Sequence, residues 1–188
     1  MKRFLLVVVV LALAGFAVWL VVTNRAAPVG DSGPGTGEQG DPAPIGDADI
    51  PIPSDAVAMQ VVSVTDGDTL RLNIDGGRYE NVRIIGIDTP EVYPEYECYG
   101  DEAEAELLRL APIGSTLRVD ADVDPYDDYG RALLYLWNSD GVFINLALVE
   151  GGYAEAIRVA PNDAWYDELL AAENDAFRAD RGMWGSCS

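Results

Sequence analysis

The sequence predicts an α+β domain in which five strands close into a small barrel accompanied by three helices. Three observations predict it. Period-2 alternation marks five segments between residues 57 and 138, helical patterning marks three more, and the order is three strands, one helix, two strands and two helices. Elements grouped in that way, rather than alternating one by one, belong to α+β folds, and five strands suffice to close a barrel.

In chain order, the first strand is "VAMQVVSV" at 57–64, the second "DTLRLNI" at 68–74 and the third "ENVRIIGI" at 80–87. Asp66-Gly67 and Asp75-Gly76-Gly77 separate them as hairpin turns. "GDEAEAELLRLA" at 100–111 is a helix with acids in its first turns, as the macrodipole prefers, and Pro112 and Gly114 stop it. "STLRVDADV" at 115–123 and "RALLYLWN" at 131–138 restore the period of 2. "INLALVEGG" at 144–152 is a short helix closed by a glycine pair. A final helix over 161–182 lines up Trp165, Leu169, Leu170 and Phe177 on one face, where they pack as core residues.

The chain has 188 residues and is 49% hydrophobic, which allows one domain, from 56 to 188, with appendages. Lys2 and Arg3 precede an uncharged apolar stretch at 4–22. As a helix it would be roughly 28 Å long, enough to cross the hydrocarbon core of a bilayer. It reads either as an uncleaved anchor or as a signal peptide, with small-residue cleavage sites in "ALAGFA" and "NRAA". In both cases the basic end stays inside, so the domain lies at the extracellular face of the membrane or is secreted. Residues 23–55 are rich in Gly, Pro, Asp and Ser without aromatic residues, the composition of a disordered tether.

Composition also excludes chemistry. There is no histidine, and Lys2 is the only lysine, which removes imidazole bases, histidine metal ligands and Schiff-base lysines. Cys98 and Cys187 are the only cysteines, too few for a structural zinc site. In an exported chain two cysteines favour a disulfide, here closing a loop of about 90 residues.

What remains is carboxylates and arginines, and they fall at strand ends. Asp68 opens the second strand, Asp88 and Glu91 follow the third, which also carries Arg83, and Arg131 opens the fifth. Singly, "DGDT", "DTPE" and "DDYGR" are turns. Together they bring three carboxylates to one barrel rim, where they repel one another unless they bind protons or a cation. With oxygen donors alone, a hard ion such as calcium fits. Two arginines beside it add planar donors matched to phosphate oxygens, which is the equipment of phosphodiester hydrolysis.

From about 57 to 185 the chain resembles the staphylococcal nuclease (thermonuclease) family, through "VTDGDTLRL", "VRIIGIDTPE", "YGDEAEA", "DDYGRALLYLW", "INLALVEGGYA" and "GMWG". The resemblance implies a five-stranded oligonucleotide/oligosaccharide-binding (OB) barrel with three helices. It implies a calcium-dependent endonuclease that acts on DNA and RNA and leaves 3′-phosphates; the chain itself is expected to be a monomer. Asp68 and Asp88 would be calcium carboxylates, with the Thr89 backbone carbonyl as a third ligand. Glu91 would activate or orient the attacking water, Arg83 and Arg131 would grip the scissile phosphate, and Tyr129 would hydrogen-bond a nucleotide phosphate. The Cys98/Cys187 pair resembles that of exported relatives.

The chain departs from the family pattern in three places. Asp128 stands where a basic residue is expected, a nucleotide-flanking tyrosine is replaced near Ile157, and the 92–99 loop "VYPEYECY" is acidic and aromatic instead of lysine-rich. These changes bear on substrate affinity and base preference. The alternative class is a catalytically silent barrel that binds nucleic acid or saccharide; degenerate copies lose an arginine or aspartate of the constellation, and this chain keeps them all.

Overall fold

The computed structural model describes residues 50–74 and 77–187. Within them the elements are β1 (Val57–Val64), β2 (Thr69–Ile74), β3 (Arg78–Ile84), β4 (Ile87–Asp88), α1 (Gly100–Leu110), β5 (Thr116–Asp120), β6 (Ala132–Trp137), α2 (Ile144–Glu150), β7 (Glu155–Ala156), α3 (Tyr166–Arg178) and the single-turn α4 (Met183–Ser186). Strands β1-β2-β3-β6-β5 form a closed barrel, with β3 and β6 parallel and the other pairs antiparallel. The barrel and helices α1–α3 are those the sequence predicts. The Asp75-Gly76 turn, the apolar stretch at 4–22 and the tether through residue 49 lie outside the described residues.

Alternation explains which residues enter the barrel. Leu70 and Leu72 on β2, Val82 and Ile84 on β3, and Leu117 and Val119 on β5 are all buried, while Arg71 between the first pair is exposed. Strand β6 is buried on both faces: Leu134 and Leu136 alternate with Tyr135 and Trp137. Trp137 stacks on Phe143 at 4.8 Å, and Phe143 meets Trp165 edge-on at 5.9 Å, so the helical side forms a second core layer. A strand covered on both faces reads as a continuous apolar run, which "ALLYLW" is.

Four expectations change. The third strand does not run through to 87. It stops at Ile84, turns at Ile85-Gly86, and resumes as β4, which pairs with β7 through Ile87↔Ala156 and Asp88↔Glu155. Gly86 makes the turn with φ +78°, and a Cβ there would lie 2.8 Å from Leu169 Cδ1, so the chain passes tightly beneath α3. The buried Asn145 of α2 holds this turn: its Nδ2 donates to the Ile85 carbonyl at 2.8 Å, and its Oδ1 accepts the Leu136 amide at 3.0 Å.

The last helix begins at Tyr166, not 161, because the preceding segment is bonded elsewhere. Asn162 bonds both backbone groups of Asp124, and the Ala164 amide donates to Asp122. Its buried stripe is Leu169, Ala172 and Ala176, which leaves Phe177 one position outside it. Phe177 is 61% exposed and meets Trp184 edge-on at 5.5 Å, so it is not a core residue. Ile50, inside the stretch read as tether, is buried, and its carbonyl accepts the Trp137 indole N–H at 3.0 Å. The packed chain therefore includes residue 50.

Cys98 and Cys187 are joined, with Cα atoms 5.9 Å apart and a sequence separation of 89. A loop of that length contributes about 4–5 kcal/mol in the chain-entropy account.

Candidate active site

The turn between β1 and β2, strand β3 and the segment that follows it build the first half of the site. The Asp66 carboxylate accepts the Asp68 amide at 3.1 Å, which folds the DGDT turn and aims Asp68 inward. Asp68 is only 5% exposed. Its Oδ2 accepts both the amide and the hydroxyl of Thr89, at 3.0 and 3.1 Å, and its Oδ1 accepts the Thr69 hydroxyl at 3.1 Å. Burial is the main influence on its carboxyl and, helped by the charge of Asp66, raises it to about 6 against the opposing pull of Arg83, Thr89 and Thr69.

Arg83 sits on β3 between the inward-facing Val82 and Ile84, so alternation turns it to the outer face. There it bridges two carboxylates: NH1 lies 2.5 Å from Asp68 Oδ2, and NH2 donates to Asp88 Oδ1 at 2.6 Å. NH1 is buried and makes no aligned hydrogen bond, so its contact with Asp68 is an ion pair. Asp88 is the solvent-facing member, its side chain 56% exposed.

Glu91 follows three residues after Asp88, outside any helix or strand, and is exposed. Residual burial and the negative charges of Asp66 and Asp88 raise its carboxyl above the ordinary range, Arg83 opposes them and Glu97 adds to them. Glu91 thus feels the charges of Asp88 and Arg83 in this group.

The second half lies on the loop before β6. The Asp127 carboxylate accepts the amides of Tyr129 and Arg131 through Oδ1, at 3.0 and 2.8 Å, and the Arg131 Nε–H through Oδ2 at 2.7 Å. Burial pushes the Asp127 carboxyl up, but these bonds outweigh it and hold it below the usual carboxylate range. Tyr129 is 88% exposed, with its ring centroid 5.7 Å from the Arg131 guanidinium carbon. The β3–β6 ladder connects the halves: Arg83 is paired with Leu133, two residues beyond Arg131.

The structure thus brings Asp68, Arg83, Asp88 and Thr89 into direct contact, sets Glu91 beside them, and places Arg131 and Tyr129 together on the adjoining loop. The expected convergence of three carboxylates is altered. Among the described residues no three acidic, histidine or cysteine side chains are arranged to hold an ion, because the Arg83 guanidinium occupies the space between Asp68 and Asp88. The donor set still fits a hard cation. It is made of oxygen alone, two carboxylates and the Thr89 carbonyl, which is the donor chemistry such an ion takes.

The sequence reading missed three residues. Asp66 and Asp127 organise the two turns, and the D-x-D and D-x-x-G spacings signal such side-chain-to-amide turns. Glu97, whose Oε2 accepts the Glu91 amide at 2.9 Å, had no local signal.

The sequence model of the staphylococcal nuclease homologues matches residues 81–186. The Thermonuclease of Staphylococcus intermedius is 35% identical over 127 residues, 66% of this chain and 74% of that protein. The Thermonuclease of Staphylococcus hyicus is 32% identical over 130 residues, 68% and 75% of the two chains. Endonuclease YncB of Bacillus subtilis (strain 168) is 32% identical over 124 residues, 63% of this chain and 57% of that protein.

Proposed function

The chain belongs to the staphylococcal nuclease family, and from that premise we propose that it is a calcium-dependent endonuclease that hydrolyses DNA and RNA and leaves 3′-phosphates. The observation that carries this reading is Arg83 bridging a buried and an exposed aspartate, with Arg83 eight and Asp88 three residues before Glu91 along the chain. A guanidinium fixed in that way is already oriented before substrate arrives, so it stabilises charge developing on a phosphate oxygen without reorganising.

The chain's own residues divide the work. Arg83 and Arg131 donate to the non-bridging phosphate oxygens, and Asp127 fixes the Arg131 fork by taking its Nε–H, which leaves the terminal nitrogens for substrate. Glu91, its carboxyl raised above the ordinary range by its surroundings, orients a water and takes its proton as the water oxygen attacks phosphorus. The bond to the 5′-oxygen breaks, and the phosphate stays on the 3′ side. Tyr129, exposed beside Arg131, meets a flanking phosphate with its hydroxyl. Asp68, Asp88 and the Thr89 carbonyl would hold the calcium ion, which supplies further positive charge to the phosphate when bound.

The domain is proposed to act outside the cell membrane, anchored or released. The basic start, the apolar stretch at 4–22 and the Cys98–Cys187 bond support this, since disulfides persist in oxidising compartments. The test is hydrolysis of defined DNA and RNA oligonucleotides with calcium and then with chelator, with end groups read by mass spectrometry. Full activity in chelator sinks the calcium requirement, 5′-phosphate ends sink the bond assignment, and no hydrolysis sinks the nuclease.

A further inference from the structure

The loop that follows Glu91 is closed on itself. The Glu97 amide donates to the Glu91 carbonyl at 2.8 Å, and the Glu91 amide donates back to Glu97 Oε2 at 2.9 Å. Between these contacts the chain bulges outward and carries Tyr93 and Tyr96 to the surface, 81% and 63% exposed. The Glu91 backbone is therefore held from one side by its connection to Thr89 and from the other by Glu97. Gly100 shows how closely α1 approaches: a Cβ there would lie 2.9 Å from the Glu91 carbonyl oxygen.

The residue after Glu97 is Cys98, bonded to Cys187. Cys187 follows α4 directly and caps it, its amide donating to the Met183 carbonyl at 2.9 Å. Met183 is itself buried and donates to the Gly152 carbonyl at 2.9 Å, just beyond α2. A covalent and hydrogen-bonded path thus runs from the end of α2 through α4 and the disulfide to Glu97, and from Glu97 to Glu91. The disulfide staples the loop carrying the water-activating carboxylate to the helical layer.

We propose that Glu97 is a positioning residue for Glu91, and that the Cys98–Cys187 disulfide holds Glu97 in place, so that the site is fully assembled only in an oxidising compartment. This rests on the nuclease reading above. Reduction by a dithiol delivers two electrons and two protons to the sulfurs, leaves thiols at 98 and 187, and converts the dithiol to its own disulfide. Glu97 then loses its tether, and the Glu91 carboxylate samples positions away from the attacking water. A displacement of about 1 Å at such a group costs on the order of 100-fold in rate.

The experiment uses the full chain. Glu97→Ala is expected to lower kcat roughly 10- to 100-fold with little change in KM, because substrate contacts remain while the reacting geometry is lost. Glu97→Gln keeps an acceptor for the Glu91 amide and should recover most of that loss. The Cys98→Ser/Cys187→Ser pair should lower kcat to a similar extent, and adding Glu97→Ala to it should cost little more, as expected of residues acting through one contact. Thermal melts confirm that each variant is folded at the assay temperature. Amide hydrogen exchange gives a readout independent of activity: the Glu91 amide should exchange slowly in the oxidised protein and faster after Glu97→Ala or dithiol treatment. Unchanged kcat and slow Glu91 exchange in Glu97→Ala overturn the positioning role. A reduced, folded protein at full kcat with a slow Glu91 amide overturns the redox dependence. If the wild-type protein hydrolyses no nucleic acid, the nuclease reading falls, and Glu91 exchange still decides whether Glu97 and the disulfide hold that backbone.

Discussion

Asp68 costs the fold stability at neutral pH, since burial lifts its carboxyl from 3.8 to about 6. An acid raised in this way binds its proton more tightly in the folded than in the unfolded chain, so its contribution is fully present below pH ~4 and is lost as pH climbs through 6. About two pH units correspond to about 3 kcal/mol. In chelator the melting temperature should therefore fall between pH 4 and 7, and Asp68→Asn should flatten most of that slope while it weakens calcium affinity and rate. An equally steep slope in Asp68→Asn, read by calorimetry, would move the cost to another group. Arginine chemistry is testable at the same scale. Arg83→Lys and Arg131→Lys keep the charge but lose the planar fork, and Arg83 uses both terminal nitrogens at once. Each should lower kcat/KM by roughly 10²- to 10³-fold, the scale of losing one transition-state donor. Near wild-type turnover in either variant removes that residue from the phosphate clamp.

Among the elements, the break between β3 and β4 matters most to the site. A continuous strand would carry Asp88 straight past the barrel rim. The turn at Ile85-Gly86 redirects it, and pairing with β7 fixes Asp88 opposite Glu155. Asn145 holds the turn from α2, and it is fully buried. Asn145→Ala would leave the Ile85 carbonyl and the Leu136 amide without these partners, at about 1–3 kcal/mol each. A loss of about 2–6 kcal/mol in denaturant unfolding is expected, together with a fall in activity from a loosened Asp88. A variant as stable as wild type would show that water replaces the amide there.

The whole molecule carries a charge that a nuclease must work against. From 51 to 188 there are 27 acids and 9 arginines, a net −18. Several of those arginines are already engaged by acids: Arg78 by Glu80, Arg109 by Glu106, Arg158 by Asp163 and Arg178 by Asp175, besides Arg83 and Arg131. Little positive charge is left to draw in a polyanion, and long-range repulsion opposes its approach. Screening acts over ~10 Å at 0.1 M salt but ~3 Å at 1 M, so added salt removes the repulsion before it removes close contacts. Activity on a short single-stranded substrate at fixed free calcium should stay flat or rise between 0.1 and ~1 M potassium chloride. A steep monotonic fall in kcat/KM, the behaviour of a basic nucleic-acid binder, would refute this.

The sequence by itself determined what depends on near neighbours. Alternation sent Val82 and Ile84 inward and Arg83 outward, and turn chemistry put Asp68 and Asp88 at strand ends, because those signals act over two to four residues. The same range made the barrel strands and α1 legible. Only the tertiary structure decided that Asp68 is buried while Asp88 is exposed, that Arg83 stands between them, and that Glu97 holds Glu91. It also decided that Phe177 faces outward and Ile50 inward, and that β6 is covered on both sides. Each of these depends on which distant segment closes over the residue. Closure of the barrel, the docking of α2 and α3, and the 89-residue disulfide loop set those neighbours together, through burial that no local period encodes.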